Sequence, residues 1–396
     1  MKTTRLSVSF SHQSELQDIL SGQANEEPSD LVIGFGNVQG VQLLADSGIM
    51  HSKTKRWLIA SSCRSVLCDE MPDENLPSKL ALLEFCDAKG SYGVAAKSCN
   101  YDNAFDQAKQ AIQEAMADAD RIGEVPALIW CNPSPGMEEK VIAGIKSLLG
   151  DSVPIFGGTS ADDAINEKWL LYSSQGVIKQ GFMFVVCFPS VPVSYFFSSG
   201  YERTEYSGTI TKANQRVLIE IDHRPAGEVY NQWRSACGLK PLKEGEILSH
   251  STFEPLGCIV DFTDSQMTLL SHPAVMNADF SMTLFSDVAE NETIAFMRGN
   301  EDLLVNRANQ VAEISSKQLH TIYNVEPQAA LVIFCAGCML AVDKSTTDIS
   351  KSIKRSLPDV PFIGGFTFGE QGRFADNVNR HGNLMISCVT FGVSDE

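Results

Sequence analysis

Residues 127–160 read ALIWCNPSPGMEEKVIAGIKSLLGDSVPIFGGTS, and residues 330–369 repeat this pattern as ALVIFCAGCMLAVDKSTTDISKSIKRSLPDVPFIGGFTFG. Each copy begins with a short apolar run, continues through a loop into an amphipathic helix, and ends with a second apolar run that leads into Gly-Gly. A strand, a crossover helix and a second strand are typical of parallel sheets covered by helices. The two copies therefore predict an α/β protein built from repeated strand–helix–strand units.

The helix of each copy is predicted by one apolar face. In the first copy this face carries Val141, Ile142, Ile145 and Leu148, and in the second it carries Ile349, Ile353 and Leu357. Both helices end before a Val-Pro pair, at residues 153–154 and 360–361, because proline disfavours helical backbone in the residue before it. The two copies thus agree in the order of their elements and in the way that the helix ends.

Related patterns extend beyond the two copies. A helical pattern precedes each copy, over residues 104–122 and 302–322, and a weaker third unit lies over residues 31–63. Because the copies are separated by about half the chain, we predict two related α/β domains with mostly parallel or mixed sheets. The predicted division is residues 1–205 and residues 206–396.

Composition and charge exclude several classes of protein. The chain has 396 residues, of which 43% are hydrophobic and 20% are charged, as in ordinary globular proteins of about two domains. Its 31 Lys and Arg residues against 49 Asp and Glu residues give a net charge of −18. Such a field repels a phosphate backbone, so we expect no nucleic-acid partner.

The sequence also predicts where the chain is found. Residues 1–10 lack the apolar core of a secretory signal. The longest apolar run, residues 181–197, contains Pro189 and Pro192, and it predicts two buried strands rather than a membrane span. The 11 cysteines are scattered and odd in number, as expected of reduced thiols. We therefore expect a cytoplasmic protein with no membrane partner.

Common enzyme signatures are absent from the sequence, so we do not expect an enzyme. There is no P-loop, nucleophile elbow, zinc-protease helix or dinucleotide-binding glycine motif. Cys335 and Cys338 form a C-x-x-C motif after a predicted strand, but a zinc ribbon needs a second such pair. A redox dithiol and a buried Cys335 with an incidental Cys338 both remain open.

The two glycine loops are the candidate ligand-binding elements. Each follows the carboxyl end of a predicted strand, where parallel α/β sheets bind ligands. Glycine allows a ligand close to the backbone, and hydroxyl groups supply hydrogen bonds. The alternative is a tight turn after a buried strand. The candidate binding residues are Gly157, Gly158, Thr159 and Ser160 in the first loop, and Gly364, Gly365 and Thr367 in the second.

Together these motifs resemble the FIST sensory domain, in its N-terminal and C-terminal parts. The resemblance covers residues 30–392 and rests on GGTSADD (157–163), PAGEVY (225–230), ALVIFCAG (330–337), PFIGGFTFGE (361–370) and HGNLM (381–385). It implies a signalling protein that binds a small ligand. A two-part FIST chain without an output domain is similar to the bacterial haem-binding, nitric-oxide-sensing group of the family.

That similarity implies haem b, held non-covalently because C-x-x-C-H is absent, with nitric oxide as the signal. The implied partner is a histidine kinase or a cyclic-di-GMP enzyme, that is, a diguanylate cyclase or a phosphodiesterase. His381 in HGNLM is the implied axial ligand and Asn383 a further contact. Arg373 or Arg380 would pair with a propionate. The reserve ligands are His250 and His272.

Two other functions remain open at this stage. The first is a FIST sensor of another small molecule, such as an amino acid, that uses the glycine loops without haem. The second is a thiol-redox enzyme that uses Cys335 and Cys338. A Soret band separates the haem sensor from the first alternative. A homodimer is also open.

Overall fold

Within the described residues, three β-sheets of the same design form the core, and a fourth sheet is inserted into the third. The computed structural model describes residues 1–22, 28–262, 265–342, 346–374 and 376–393. Its helices are α1 (Gln13–Gly22), α2 (Val38–Ser47), α3 (Met50–Lys53), α4 (Ala104–Asp118), α5 (Glu138–Leu149), α6 (Ala226–Ala236), α7 (Leu248–Ser251), α8 (Glu301–Gln318), α9 (Ala336–Ala341) and α10 (Thr346–Ser356), with a π-helical turn at Leu319–Tyr323.

The strands of the three core sheets are given in spatial order. The first sheet has β1 (Lys2–Phe10), β5 (Ser78–Cys86), β2 (Leu31–Gly36), β3 (Trp57–Ser61), β9 (Leu171–Ser173) and β10 (Gly176–Ile178). The second has β25 (Asn379–Gly382), β24 (Glu370–Arg373), β8 (Ile155–Gly158), β7 (Leu128–Pro133), β11 (Gly181–Phe188) and β6 (Ser91–Ser98). The third has β12 (Val193–Ser199), β26 (Met385–Gly392), β22 (Pro327–Cys335), β23 (Phe362–Thr367) and β4 (Val66–Cys68).

The fourth sheet is formed by the chain between β12 and α8. In spatial order it has β16 (Gly245–Glu246), β19 (Pro273–Met276), β20 (Met282–Leu284), β14 (Val217–Ile221), β13 (Glu202–Asn214), β21 (Thr293–Arg298), β17 (Leu256–Phe262) and β18 (Ser265–Ser271). A short strand, β15 (Arg224–Pro225), pairs with β14. The strand pairs of this sheet are antiparallel, and it has a separate apolar core around Tyr230, Trp233 and Phe296.

The predicted strand–helix–strand units are confirmed. The strands of each unit pair in parallel, as β7 with β8 and β22 with β23. The weaker third unit also forms, because β2 and β3 are parallel with Ile33 opposite Leu58. In each sheet an antiparallel strand (β5, β11 or β26) lies against the first strand of the parallel pair. The fold is therefore α/β with mixed sheets, as predicted.

Each unit also lends a short strand to the sheet of another unit. In the first unit β4 pairs with β23 of the third, and in the second unit β9 pairs with β3 of the first. In the third unit β24 pairs with β8 of the second. These three exchanges close a ring, so each sheet is completed by residues that lie far away in the chain.

The long apolar run at residues 181–197 forms two strands, as predicted, but they belong to different sheets. Strand β11 lies in the second sheet, whereas β12 pairs with β26 in the third. None of the helices in the described part of the chain is long and apolar enough to span a bilayer. The division into residues 1–205 and 206–396 stays a prediction.

Candidate functional site

A cavity of about 670 Å³ lies where the second unit, the fourth sheet and α9 meet. We call it the Trp169 cavity. Its lining is mainly apolar, and the second unit and the fourth sheet contribute Ile165, Trp169, Phe253 and Phe285, while Leu340 comes from α9. Small-molecule sites have this size and this largely apolar lining. The cavity is therefore the candidate ligand site.

Three large apolar side chains at this cavity are unusually exposed. Ile165 is 56% exposed, Phe285 is 37% exposed and Leu340 is 38% exposed. They come from three different parts of the chain and line the same cavity. Exposed apolar side chains gathered in one place, rather than scattered singly, mark binding sites.

The wall that carries Ile165 is organised by a buried carboxylate. Asp162 is 1% exposed and accepts hydrogen bonds from the backbone N–H groups of Ala164, Asn166 and Lys168, at 2.9 to 3.1 Å. The loop holds Ile165 at φ 53°, a conformation that β-branched residues rarely adopt. Such backbone strain persists only where the surroundings impose it, and it is common at ligand sites.

Charged side chains form a cluster beside the cavity. Glu138 and Glu139 lie in the first turn of α5, and Arg216 reaches them from the turn between β13 and β14. The Nη2 atom of Arg216 lies 2.9 Å from Glu138 Oε2 and 2.6 Å from Glu139 Oε2. His381 Nδ1 lies 2.9 Å from Glu139 Oε1. The cluster thus ties the fourth sheet to the core, and Glu138 and Arg216 also line the cavity.

The pKa values of this cluster are set by burial and by its opposite charges. Burial raises the pKa of Glu139, but His381 and Arg216 outweigh it and hold that pKa well below 4.5. Burial lowers the pKa of His381, but the carboxylates of Glu139 and Glu138 outweigh it and raise that pKa above 6.5. The imidazole and the carboxylate therefore form an ion pair.

The two glycine loops lie where the three units meet. They join the loop after β3 in a ring of backbone hydrogen bonds, with Ala161 N–H donating to Ser61 O at 2.9 Å and Cys63 N–H donating to Phe366 O at 2.9 Å. Thr159 N–H closes the ring by donating to Gly369 O at 2.8 Å. The predicted binding loops are therefore the junction of the units.

Close packing explains the glycines in these loops. An added Cβ on Gly157 would lie 1.8 Å from Cys131 O, and the φ of Gly157 is +143°. An added Cβ on Gly364 would lie 2.1 Å from Val332 O. Gly158 and Gly365 are similarly close to Thr367 and Phe35 side chains, at 2.4 Å each.

The predicted hydroxyl groups bind neighbouring protein groups. Thr159 Oγ1 donates to Glu138 Oε1 at 3.0 Å, and Thr367 Oγ1 donates to Glu370 Oε1 at 2.9 Å. Ser160 Oγ lies 3.3 Å from Pro133 O. Of the predicted binding residues that the structure describes, Asn383 and the reserve ligand His272 line the Trp169 cavity. A ligand-binding role for the two loops stays a prediction.

Haem b was expected from the resemblance, with His381 as the axial ligand. An axial imidazole must direct a ring nitrogen at iron in an apolar slot. The Nδ1 atom of His381 is paired with Glu139, and its Nε2 is buried so close to Gly369 that an added Cβ there would lie 2.4 Å away. As arranged in this structure, His381 does not fit an axial ligand.

The other predicted haem contacts are also engaged elsewhere. Arg373 Nη1 donates to Tyr195 Oη at 3.0 Å, and Arg380 makes two hydrogen bonds of 2.7 Å to Asp376. Both arginines are therefore already hydrogen-bonded to protein groups. Of the reserve ligands, His250 is exposed on α7 and His272 lines the Trp169 cavity.

His272 and Cys335 also line the cavity. Burial lowers the pKa of His272 to about 4, so the ring is neutral at pH 7, and its Nε2 lies 3.2 Å from Leu248 O. Burial raises the pKa of the Cys335 thiol well above 9.0. Cys338 lies behind it, 3.6 Å from Tyr201 Oη. A thiol with a raised pKa is a poor nucleophile, and a redox role for Cys335 and Cys338 stays a prediction.

Sequence patterns did not single out five residues of the site, namely Glu138, Glu139, Arg216, Ile165 and Trp169. The Glu-Glu pair was visible at the start of a predicted helix, where carboxylates favour the helix dipole. Arg216 gave no signal, because it reaches α5 only through the fold of the inserted sheet. Ile165 and Trp169 follow the GGTSADD motif, whose Asp162 positions them.

Among known proteins, the chain is 28% identical over 150 residues to an uncharacterized protein of Methanocaldococcus jannaschii. The match covers 37% of this chain and 27% of that protein's length. Solved structures are more distant. Cyanuric acid hydrolase from A. caulinodans gives a TM-score of 0.30 at 11% identity, over 52% of this chain and 78% of that one. PurLQS from Thermotoga maritima gives a TM-score of 0.20 at 10% identity, over 84% and 75%. Scores this low support no inference.

Two family models match the chain in succession. The FIST N domain model matches residues 30–224, which include the first two units, β12 and the first strands of the fourth sheet. The FIST C domain model matches residues 226–373, which include most of the fourth sheet and the third unit's helices. Together they span most of the sequence, and the chain therefore belongs to the FIST family.

Proposed function

We propose that this FIST protein is a signal-transduction sensor whose small ligand occupies the Trp169 cavity. One observation carries the proposal. Three separate parts of the chain place exposed apolar side chains, Ile165, Phe285 and Leu340, around one mainly apolar cavity of about 670 Å³. Burying these side chains against a ligand is favourable, at about 25 cal/mol per Å² of apolar surface.

The ligand proposed is a small organic molecule with an apolar body and an oxygen acceptor. Asn383 lines the cavity, and its buried Nδ2 has no hydrogen-bond partner among the described residues. An amide donor left unpaired in the interior is costly, and a ligand oxygen would satisfy it. Many amino-acid derivatives and short-chain carboxylic acids have this chemistry.

The position of the cavity supports a signalling role. Its walls come from the core and from the inserted fourth sheet, and Arg216 links the two through Glu138 and Glu139. A ligand that prefers one placement of the inserted sheet shifts the population toward it. A partner that distinguishes the two placements then reads the signal. The proposed partner is a histidine kinase or a cyclic-di-GMP enzyme acting in trans.

Haem-based sensing of nitric oxide is the second candidate function. It is favoured by His272, a neutral imidazole in the wall of the same apolar cavity. In this candidate function, His272 would hold the iron in place of His381. The cavity lining also contains a cation, Arg216. Haem supplies the gas-binding chemistry when bound.

The first experiment identifies what the protein carries. Small molecules released by denaturing the purified protein are measured by mass spectrometry for wild type and for Leu340→Asp. The control is Ile322→Asp, which replaces an apolar side chain that is 64% exposed outside the cavity lining. We expect one compound near one equivalent in wild type and Ile322→Asp, and at least a tenfold loss in Leu340→Asp. Equal amounts in all three proteins would contradict the proposal.

A haemin titration separates the two candidates. A Soret band that saturates at one equivalent, moves with nitric oxide and is lost in His272→Ala supports haem sensing. Loss of the band in His381→Ala with retention in His272→Ala would instead restore His381 as the ligand. A broad band like that of free haemin rejects haem and leaves the organic ligand.

A further inference from the structure

A second cavity, of about 570 Å³, lies at the first residues of β13, the opposite end of this strand from the turn that carries Arg216. We call it the Arg307 cavity. It is formed by the end of β12, the start of β13, the strand β18 and the helix α8, and Arg307 lies on α8. No residue is shared with the lining of the Trp169 cavity among the described residues. A ligand here would bind a separate site.

Arg307 is a largely buried cation with neutral partners. Its Nη1 donates to Gln310 Oε1 at 3.0 Å, and its Nη2 donates to Ser198 Oγ. The guanidinium lies 5.9 Å from the centre of the Phe196 ring. Its Nε is buried and has no hydrogen-bond partner in the described part of the chain. Burial without a nearby negative charge lowers the pKa of Arg307, which is the sign of an uncompensated charge.

The lack of a carboxylate partner is uncommon among the partly or wholly buried arginines of the described residues. Arg373 is the other exception, with Tyr195 Oη and Asn377 O as its partners. The rest have a carboxylate oxygen within 3.5 Å, in the pairs Arg5 with Asp69, Arg56 with Asp118, Arg121 with Glu124, Arg216 with Glu138, Arg234 with Glu254, and Arg380 with Asp376. A chain with 49 acidic residues does not lack carboxylates for such a pairing. Charges in protein interiors are normally paired, and a bound anion would supply the partner that Arg307 lacks.

The rest of the lining suits an organic anion. Arg203 also lines the cavity, with its Nη1 2.6 Å from Gln266 Oε1, and it adds a second cation. Glu202 is the acidic residue of the lining, so the local charge is +1 against −18 for the whole chain. Met267 and Met297 supply apolar surface for the body of a ligand.

We propose that the Arg307 cavity binds a small organic molecule that carries an oxyanion, either a carboxylate or a phosphate group. Arg307 and Arg203 contact the oxyanion, and the methionine side chains contact the apolar body. The guanidinium fork suits both groups, because it offers parallel N–H donors to two oxygens. The site is independent of the function proposed for the Trp169 cavity.

The test is calorimetric titration of the full chain with phenyl phosphate and with benzoate, and with benzyl alcohol as the neutral counterpart. We expect saturable one-to-one binding of at least one anion and none of benzyl alcohol. Arg307→Gln weakens the binding at least tenfold, and Arg203→Gln, at an exposed side chain, weakens it severalfold. The anion that binds with the higher affinity shows whether the site prefers a phosphate or a carboxylate.

Two control variants show whether the effect belongs to this cavity. Arg224→Gln changes an arginine that is 50% exposed outside the cavity lining, and it should leave affinity for the anion unchanged. Leu340→Asp alters the Trp169 cavity and should also leave it unchanged. The proposal is overturned if neither anion binds, if benzyl alcohol binds equally well, or if both Arg307→Gln and Arg203→Gln retain full affinity. A structural role alone predicts that Arg307→Gln loses stability while wild type shows no anion binding.

Discussion

At the scale of single residues, the ion pair of Glu139 and His381 is a buried contact between opposite charges beside the Trp169 cavity. It joins α5 of the second unit to β25 of the third at 2.9 Å. The positive charge of Arg216, which approaches from the inserted sheet, acts on both partners. Removing one partner of a buried pair leaves an uncompensated charge, so these residues report on the integrity of the site.

We predict that Glu139→Gln destabilises the protein by about 3 kcal/mol at pH 6, because it removes the carboxylate that pairs with both His381 and Arg216. Urea unfolding measures this change. The control is Glu228→Gln, which removes a carboxylate that is 50% exposed and should cost under about 0.5 kcal/mol. A loss no larger than the control's would show that the pair is not an ion pair.

The same pair predicts a pH profile for stability. The pKa of His381 is raised above 6.5 in the folded state, so its contribution is full below pH 6.5 and is lost as pH rises through the folded pKa. The pKa of Glu139 is held below 4.5, so its contribution is present above pH 4.5 and is lost as pH falls. We expect His381→Gln to lack the fall in stability that wild type shows as pH rises through the folded pKa of His381. Identical slopes above pH 6.5 in the two proteins would contradict the assignment.

Glu370 predicts a second pH effect, with a different origin. Burial, and secondarily the neighbouring Cys335, raise the pKa of this fully buried carboxyl well above 4.5. The folded state therefore keeps a proton that the unfolded chain releases above pH 4.5, and stability falls as pH rises. Glu370→Gln should become more stable relative to wild type as pH increases from 5 to 8, as measured by urea unfolding. A constant difference across that range would mean that Glu370 is ionised in the folded protein.

At the scale of elements, the two loops need glycine because neighbouring backbone and side chains pack closely against them. Gly157→Ala places a Cβ against the Cys131 carbonyl and should cost more than about 4 kcal/mol or prevent folding. Gly136→Ala is the matched control, because Gly136 has a φ of +88° but open space around it. The control should cost about 1 kcal/mol from backbone strain alone. Equal losses in the two variants, measured by urea unfolding, would show that packing at Gly157 is unimportant.

The strand–helix–strand units could be predicted because their signals are local. The apolar face of α5, the proline after it and the strand before it lie within residues 127–160. The first unit gave a weaker signal since β3 runs into Ser-Ser-Cys rather than Gly-Gly. Sequence patterns gave no signal for the exchanged strands β4, β9 and β24, because they are three or four residues long and pair with distant parts of the chain.

At the scale of the whole molecule, the three units form one interdependent ring. One apolar cluster contains Phe35 of the first unit, Trp130 of the second and Phe334 of the third. The rings of Phe35 and Trp130 lie 6.3 Å apart at their centres. The family models divide the chain near residue 225, but the sheets are shared across that point.

We therefore predict that residues 1–205 do not form a stable monomer when produced alone. Strand β8 loses β24, strand β4 loses β23, and the unpaired sheet edges favour aggregation. Size-exclusion chromatography and thermal unfolding of the fragment measure this outcome, with the full chain as control. A monomeric fragment with a cooperative transition would show that the predicted division at residue 205 is a true domain boundary.

The candidate site was less predictable than the fold, because it belongs to no single unit. Trp169, Arg216 and Leu340 meet only once the inserted sheet is placed against the ring. Sequence patterns located Asn383 and the loop that presents Ile165, but they assigned ligand contacts to residues that the structure packs in the interior. The resemblance to the family correctly predicted a FIST protein, whereas His381 is committed to Glu139.

The most direct test of the account is a fluorescence titration of Trp169. The compound released from wild type is added back to ligand-free protein, and the emission is compared between wild type and Trp169→Phe. We expect a saturable one-to-one change in the emission of wild type that is absent in Trp169→Phe, since this indole lines the cavity. The same change in both proteins would place the ligand elsewhere and contradict the claim that this cavity is the sensory site.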